Sequence, residues 1–214
     1  MNTAADLILI FLILSNLTLL GLSRLGACIR TVALQGVAVG LLPLCLSRTG
    51  PDFHQMLFSA FLIGLKGIVF PWVLMKILRD IKIQREVEPF VGYGTSLVLG
   101  TAALVISMWL GHRLPLPESI RPELIVPAAF FTIMSGLFLI IARKKALTQV
   151  LGYLVLENGI YTFGAALADQ QPLLIELGIL LDVFAAVFVM GIAIFHINRE
   201  FDSIDTDKLS GLRT

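Results

Sequence analysis

Residues 149–164 read QVLGYLVLENGIYTFG. The run is long and apolar enough to form a helix, yet Glu157 sits at its middle with Asn158 beside it. A charge at the centre of a bilayer costs about 2.5–3.5 kcal/mol on insertion scales. Such a group is turned towards protein or water and normally has a task. Gln149, Tyr153, Glu157 and Tyr161 are spaced by four, so they share one face and draw a polar stripe along an apolar cylinder. The alternative role for the carboxyl is a hydrogen bond that only locks two helices together.

The rest of the chain has the same character. Of its 214 residues, 57% are hydrophobic and only 14% charged, against about 25% charged in a soluble domain. Mean hydropathy is +0.90. A soluble fold of this size cannot hide that much apolar surface, so the sequence reads as an all-α integral membrane protein in contact with the lipid bilayer. A net charge of +1 and the lack of a basic patch with interleaved aromatics argue against nucleic acid. Cys28 and Cys45 cannot supply the four thiolates of an iron–sulfur cluster and form no CxxC pair. They read as small apolar fillers. His54, His112 and His196 fall near segment ends, with no pair placed for haem. No metal, cofactor or catalytic residue is expected. No Lys or Arg precedes Arg24, so the basic start of a cleavable signal is missing and the first segment is expected to remain as a helix.

Seven spans are expected, each long enough for a hydrocarbon core of about 30 Å. They cover about 4–23, 29–47, 55–78, 91–111, 124–142, 146–168 and 172–197. The second is the weakest, interrupted by Gln35, Gly36, Gly40 and Pro43. With seven spans, alternate loops fall on opposite sides. Twelve basic residues then gather on one side: Arg24 and Arg30, Lys76 to Arg85, Arg143 to Lys145, and Arg199 to Arg213. Only Arg48, Arg113 and Arg121 fall on the other. Cytoplasmic loops carry the Lys/Arg excess, so the N-terminus is expected outside and the C-terminus in the cytoplasm. The turn Arg143-Lys144-Lys145 is expected to face the inner leaflet.

Two further spans carry isolated charges. Lys66 lies at the middle of the third, flanked by Gly64 and Gly67 and followed by Pro71. Pro71 has no N–H, so the carbonyl of Gly67 loses its helical partner and a kink is expected there. A lysine beside a weakened helix reads as lining a cavity, the alternative being a structural pairing with a neighbouring subunit. Asp182 lies in the seventh span with Gly178, Ala185 and Ala186 on the same side. Small residues allow close helix approach, so Asp182 is expected to face another helix. Counted from opposite faces, Glu157 and Asp182 both come out near mid-depth.

The run GYLVLENG, 152–159, followed by LLIELGILLDVFAAVFVMGIAIF, 173–195, resembles hydrogenase-4 component E, the membrane subunit of formate-hydrogenlyase-type group 4 complexes. The LKG run around Lys66 with Pro71, and the ending DTDKLSGLRT from Asp205, extend the resemblance over most of the chain. The part from about 124 to 197 is also similar to the K subunit of complex I and to the C subunit of multi-subunit sodium/proton antiporters. Glu157 takes the place of the K subunit's second-helix glutamate. On this resemblance Asp182 lies in the corresponding next helix, more than a turn earlier than the K subunit's glutamate. The chain thus divides into four N-terminal spans (1–111), a three-helix K-like module (124–197) and a tail (198–214).

The resemblance implies a non-catalytic subunit between a redox module and antiporter-like subunits in a bacterial inner membrane. It implies no nickel, iron or quinone bound by this chain. Its partners would be the membrane-anchor and antiporter-like subunits of a group 4 hydrogenase complex, with the tail docking on a cytoplasmic subunit. Glu157, Lys66, Asp182, Asn158, Tyr153 and Tyr161 are the expected proton-pathway residues. Two alternatives are a cation/proton antiporter subunit without a redox partner and an assembly scaffold.

Overall fold

A computed structural model describes residues 3–47, 50, 53–81, 90–114, 122–167 and 191. Regular structure among them is helical, as expected for a backbone that must satisfy its own hydrogen bonds in lipid. The helices are α1 (Thr3–Gly21), α2 (Leu25–Leu46), α3 (Phe53–Leu62), a π-helical turn (Ile63–Val69), α4 (Phe70–Ile81), α5 (Tyr93–Arg113), α6 (Ile125–Ala142) and α7 (Ala146–Ala166). α3, the π turn and α4 form one continuous rod. Five helices are long and apolar enough to cross a membrane: α1, α2, the rod over Phe53–Arg79, α5 and α6. α7 is as long as α5, but Gln149, Glu157 and Asn158 dilute its apolar character. The expected seventh span, with Asp182 and Glu176, lies outside the described residues apart from Gly191, as do the tail and most of the loop after Arg79.

Successive helices run in opposite directions. Phe90 donates its N–H to Ala142 O at 3.0 Å, and Arg143 donates to Leu20 O at 2.8 Å. The C-terminal ends of α1 and α6 and the N-terminal end of α5 therefore lie together. One apolar cluster closes this end, with Leu20, Leu25, Ile29, Leu74, Ile77 and Leu151 at its centre. A second closes the opposite end around Leu9, Leu12, Leu42, Leu62, Ile125 and Ala128. α5 turns Leu97, Val98, Val105, Ile106 and Trp109 outwards, an apolar exposed face suited to lipid.

Glycine governs the closest crossings. α6 and α7 meet backbone to backbone. A Cβ on Gly136 would strike the backbone N of Leu156, and one on Gly159 would come within 2.7 Å of Ile133 N. α2 and the π turn cross just as tightly. A Cβ on Gly36 would lie 2.7 Å from Lys66 Cβ, and one on Gly40 2.6 Å from Ile63 Cγ1. Gly36 and Gly40, which read as interruptions in the weakest span, form its contact surface. Such close approach is the usual basis of helix association in lipid, where no hydrophobic force drives helices together.

The turn between α6 and α7 corrects one expectation. Arg143 does not face the leaflet. It is 1% exposed, bonded to Leu20 O and stacked 4.5 Å from the Tyr93 ring. A helix C-terminus presents unpaired carbonyls and partial negative charge, so a cation there is favourable. Arg143 thereby ties the end of α1 to the turn between α6 and α7. Lys144 remains exposed, its ammonium 5.2 Å from the Phe90 ring.

Candidate functional site

Between the two apolar clusters lies a polar layer, one turn thick in each helix. α1 contributes Ser15 and Asn16, α2 Gln35, the π turn Lys66, α6 Thr132, and α7 Glu157 and Asn158. All are buried. Each lies between the two apolar clusters and away from the ends of its helix, so the layer falls in the interior of the bundle.

Lys66 is placed by an unusual stretch of backbone. Phe70 N–H reaches Leu65 O, five residues back. In that register the next carbonyl, Lys66 O, would need the N–H of Pro71, which proline lacks. The helix thus accommodates Pro71 by inserting a π turn upstream. The irregularity near Pro71 is this π turn within a continuous rod, and π turns of this kind recur at functional sites. The extra residue re-aims the lysine. Gly36 supplies the space for it, since any side chain there would collide with Lys66.

The ammonium of Lys66 lies 2.7 Å from Glu157 Oε1, with the two residues 5% and 2% exposed. It also donates to Asn158 Oδ1 at 3.4 Å and lies 5.4 Å from the centre of the Tyr161 ring. Lys66, Glu157, Asn158 and Tyr161, four of the six expected pathway residues, are therefore one site. Burial removes water from both charges, and their contact offsets part of that cost. The Tyr161 ring face adds an attraction to the cation. Thr162 donates to Asn158 O at 2.7 Å and stiffens the same turn of α7.

The other residues of the expected stripe lie elsewhere. Tyr153, half-buried, packs against the apolar cluster at the Leu20 end. Gln149 donates to Arg143 O at 3.1 Å. Asp182 lies outside the described residues. Among the described residues no group of three or more His, Cys, Asp or Glu comes together to hold a metal ion.

A second polar group went unnoticed in the sequence. Asn16 Nδ2 donates to Thr132 Oγ1 at 2.8 Å. Gln35 Nε2 donates to Asn16 Oδ1 at 2.8 Å and to Ser15 Oγ at 2.7 Å. In the sequence Gln35 reads only as an interruption of a weak span, and Asn16 and Thr132 are not singled out. The available signal was that Asn16, Gln35 and Lys66 each sit near the centre of an otherwise apolar run.

The fold and site define a polytopic helical membrane protein with a buried lysine–glutamate pair at the centre of a polar layer. Residues 124–214 match the family model of NADH-ubiquinone/plastoquinone oxidoreductase chain 4L. The uncharacterized protein Rv0085 of Mycobacterium tuberculosis is 32% identical over 206 residues, covering 94% of this chain and 92% of the relative. Hydrogenase-4 component E of Escherichia coli K12 and of Shigella flexneri is 27% identical over 162 residues, covering 74% of this chain and 73% of theirs. No solved structure matches the chain. The chain belongs to the family of Rv0085 and hydrogenase-4 component E.

Proposed function

We propose that this chain is a non-catalytic membrane subunit of a group 4, hydrogenase-4-like oxidoreductase complex. In this reading the Lys66–Glu157 pair is a station on the buried polar route that couples electron transfer to proton or cation movement. The observation that carries it is the 2.7 Å contact between Lys66 Nζ and Glu157 Oε1 inside the polar layer. An intramembrane ionisable pair is costly and is retained where charge or protons pass. Similarity to hydrogenase-4 component E supports the setting, and similarity of the C-terminal part to chain 4L supports kinship with complex I.

The chemistry needs no bond-making in this chain beyond proton transfer. A proton reaching Glu157 neutralises the carboxylate and loosens its hold on Lys66. The ammonium, still cationic, then leans on Asn158 and the Tyr161 ring, or on an acidic group of a neighbouring subunit. Loss of the proton from Glu157 restores the pair. On the same reading the chain spans a bacterial inner membrane seven times, N-terminus outside. Asp182 in the last span extends the route, and Tyr153 borders it. Membrane-anchor and antiporter-like subunits are its lateral partners, and the tail from 198 to 214 docks on a cytoplasmic subunit.

The test is Glu157→Gln in the assembled complex, which keeps the side chain's shape and removes its proton site. Electron transfer per complex is expected to persist while proton movement per electron falls. Full coupling in a normally assembled variant would overturn the proposal.

A further inference from the structure

The relay across α1, α2 and α6 has a direction, and the hydrogens assign it. Thr132 donates its hydroxyl hydrogen to Ala128 O at 2.7 Å. It can therefore only accept from Asn16, which places the Asn16 Nδ2 group towards Thr132 and its Oδ1 towards Gln35. Ser15 gives its hydrogen to Leu12 O at 2.9 Å, so it too can only accept from Gln35. Both Nε2 hydrogens of Gln35 are thus committed. Its carbonyl oxygen is turned the other way, and this oxygen, on a side chain 0% exposed, has no partner among the described residues. A buried amide oxygen in that state calls for a hydrogen donor.

The donor's other contact is indicated on α7. Asn158 spends its Oδ1 on Lys66, which turns its two Nδ2 hydrogens elsewhere. Neither is given to a described residue. α2 packs against both the π turn and α7, and Gly36, next to Gln35, rests on Lys66. An unfilled acceptor and an unfilled donor therefore stand on touching helices in the same layer. From 172 to 195 the only side chains able to donate a hydrogen are the acids Glu176 and Asp182, and those only when protonated.

We propose that one water molecule bridges Asn158 Nδ2 and Gln35 Oε1, joining the Lys66–Glu157 pair to the Gln35–Asn16–Thr132 relay. Buried waters of this kind satisfy polar groups that the protein cannot pair directly. The bridge makes the polar layer continuous from α7 through α2 to α1 and α6. The four N-terminal helices then belong to the hydrated interior rather than forming a collar around the K-like segment. Gln35 is a positioning residue, because it reaches the ion pair only through the water and Asn158. This site stands whether or not the pair moves protons.

A cryo-EM map of the assembled membrane complex, at a resolution that shows ordered water, tests it directly. Density is expected within about 3 Å of both Gln35 Oε1 and Asn158 Nδ2. The same density is expected to vanish in Gln35→Leu and to survive in Glu157→Gln. If Gln35→Leu does not assemble, the wild-type map still decides. A direct amide–amide hydrogen bond, a carboxyl of Glu176 or Asp182 in that position, or a dry contact would each overturn the proposal. Failure of Glu157→Gln to uncouple the complex would sink the proposed function and leave this density untouched.

Discussion

Removing one member of the Lys66–Glu157 pair should cost far more than removing both. At 2.7 Å two unit charges attract by about 6 kcal/mol at an effective dielectric of about 20. Desolvation offsets much of this, so the pair adds little net stability. Taking away one partner leaves the other charge buried, at a cost of about 3–5 kcal/mol. Asn158 cannot make up the loss, because its bond to Lys66 is long at 3.4 Å. Glu157→Leu and Lys66→Met are each expected to lower the unfolding midpoint in mild detergent by on the order of 10 °C. The double variant is expected to recover most of that. Thermal unfolding of the two single variants and the double reads all of this. Single costs below about 1 kcal/mol, or costs that simply add in the double variant, would refute a buried ion pair.

The helix crossings make two further predictions. Gly136→Ala drives a Cβ into the backbone of Leu156 and within 2.7 Å of Gly152 O, so little assembled protein is expected on a native gel. Gly64→Ala, with nothing within 4 Å, is expected to assemble normally. With Cys28 and Cys45 replaced, Val37→Cys and Gly67→Cys are expected to form a disulfide on oxidation. A Cβ on Gly67 lies 3.9 Å from Val37 Cβ, close to the usual separation of about 3.8 Å. Adding Pro71→Ala restores an N–H, lets the π turn relax to an α-helix and rotates the contact by up to about 100°. Disulfide yield, read as a gel shift, should then fall. An unchanged yield would show that Pro71 does not hold the turn.

How much could be read before folding follows from what each feature depends on. The cost of placing Lys66 or Glu157 in lipid belongs to the residue and its local run of neighbours. The sequence by itself therefore marked the apolar runs, matching α1, α2, the rod, α5, α6 and α7 within a few residues, and singled out Lys66, Glu157 and Asn158. It also marked the neighbourhood of Pro71 as irregular, where the π turn lies. It could not say which charge meets which, since Lys66 and Glu157 lie in helices far apart along the chain. Gly36 and Gly40 look alike whether they weaken a helix or seat a neighbour. Asn16, Gln35 and Thr132 carry no charge, so nothing local separates a relay from scattered polar residues. Arg143 reads as an ordinary loop cation until the end of α1 arrives beside it. Pairing, the π turn's aim and the direction of the relay were decided only by tertiary structure. Burial is a property that one residue has alone, whereas a partner exists only once distant helices pack.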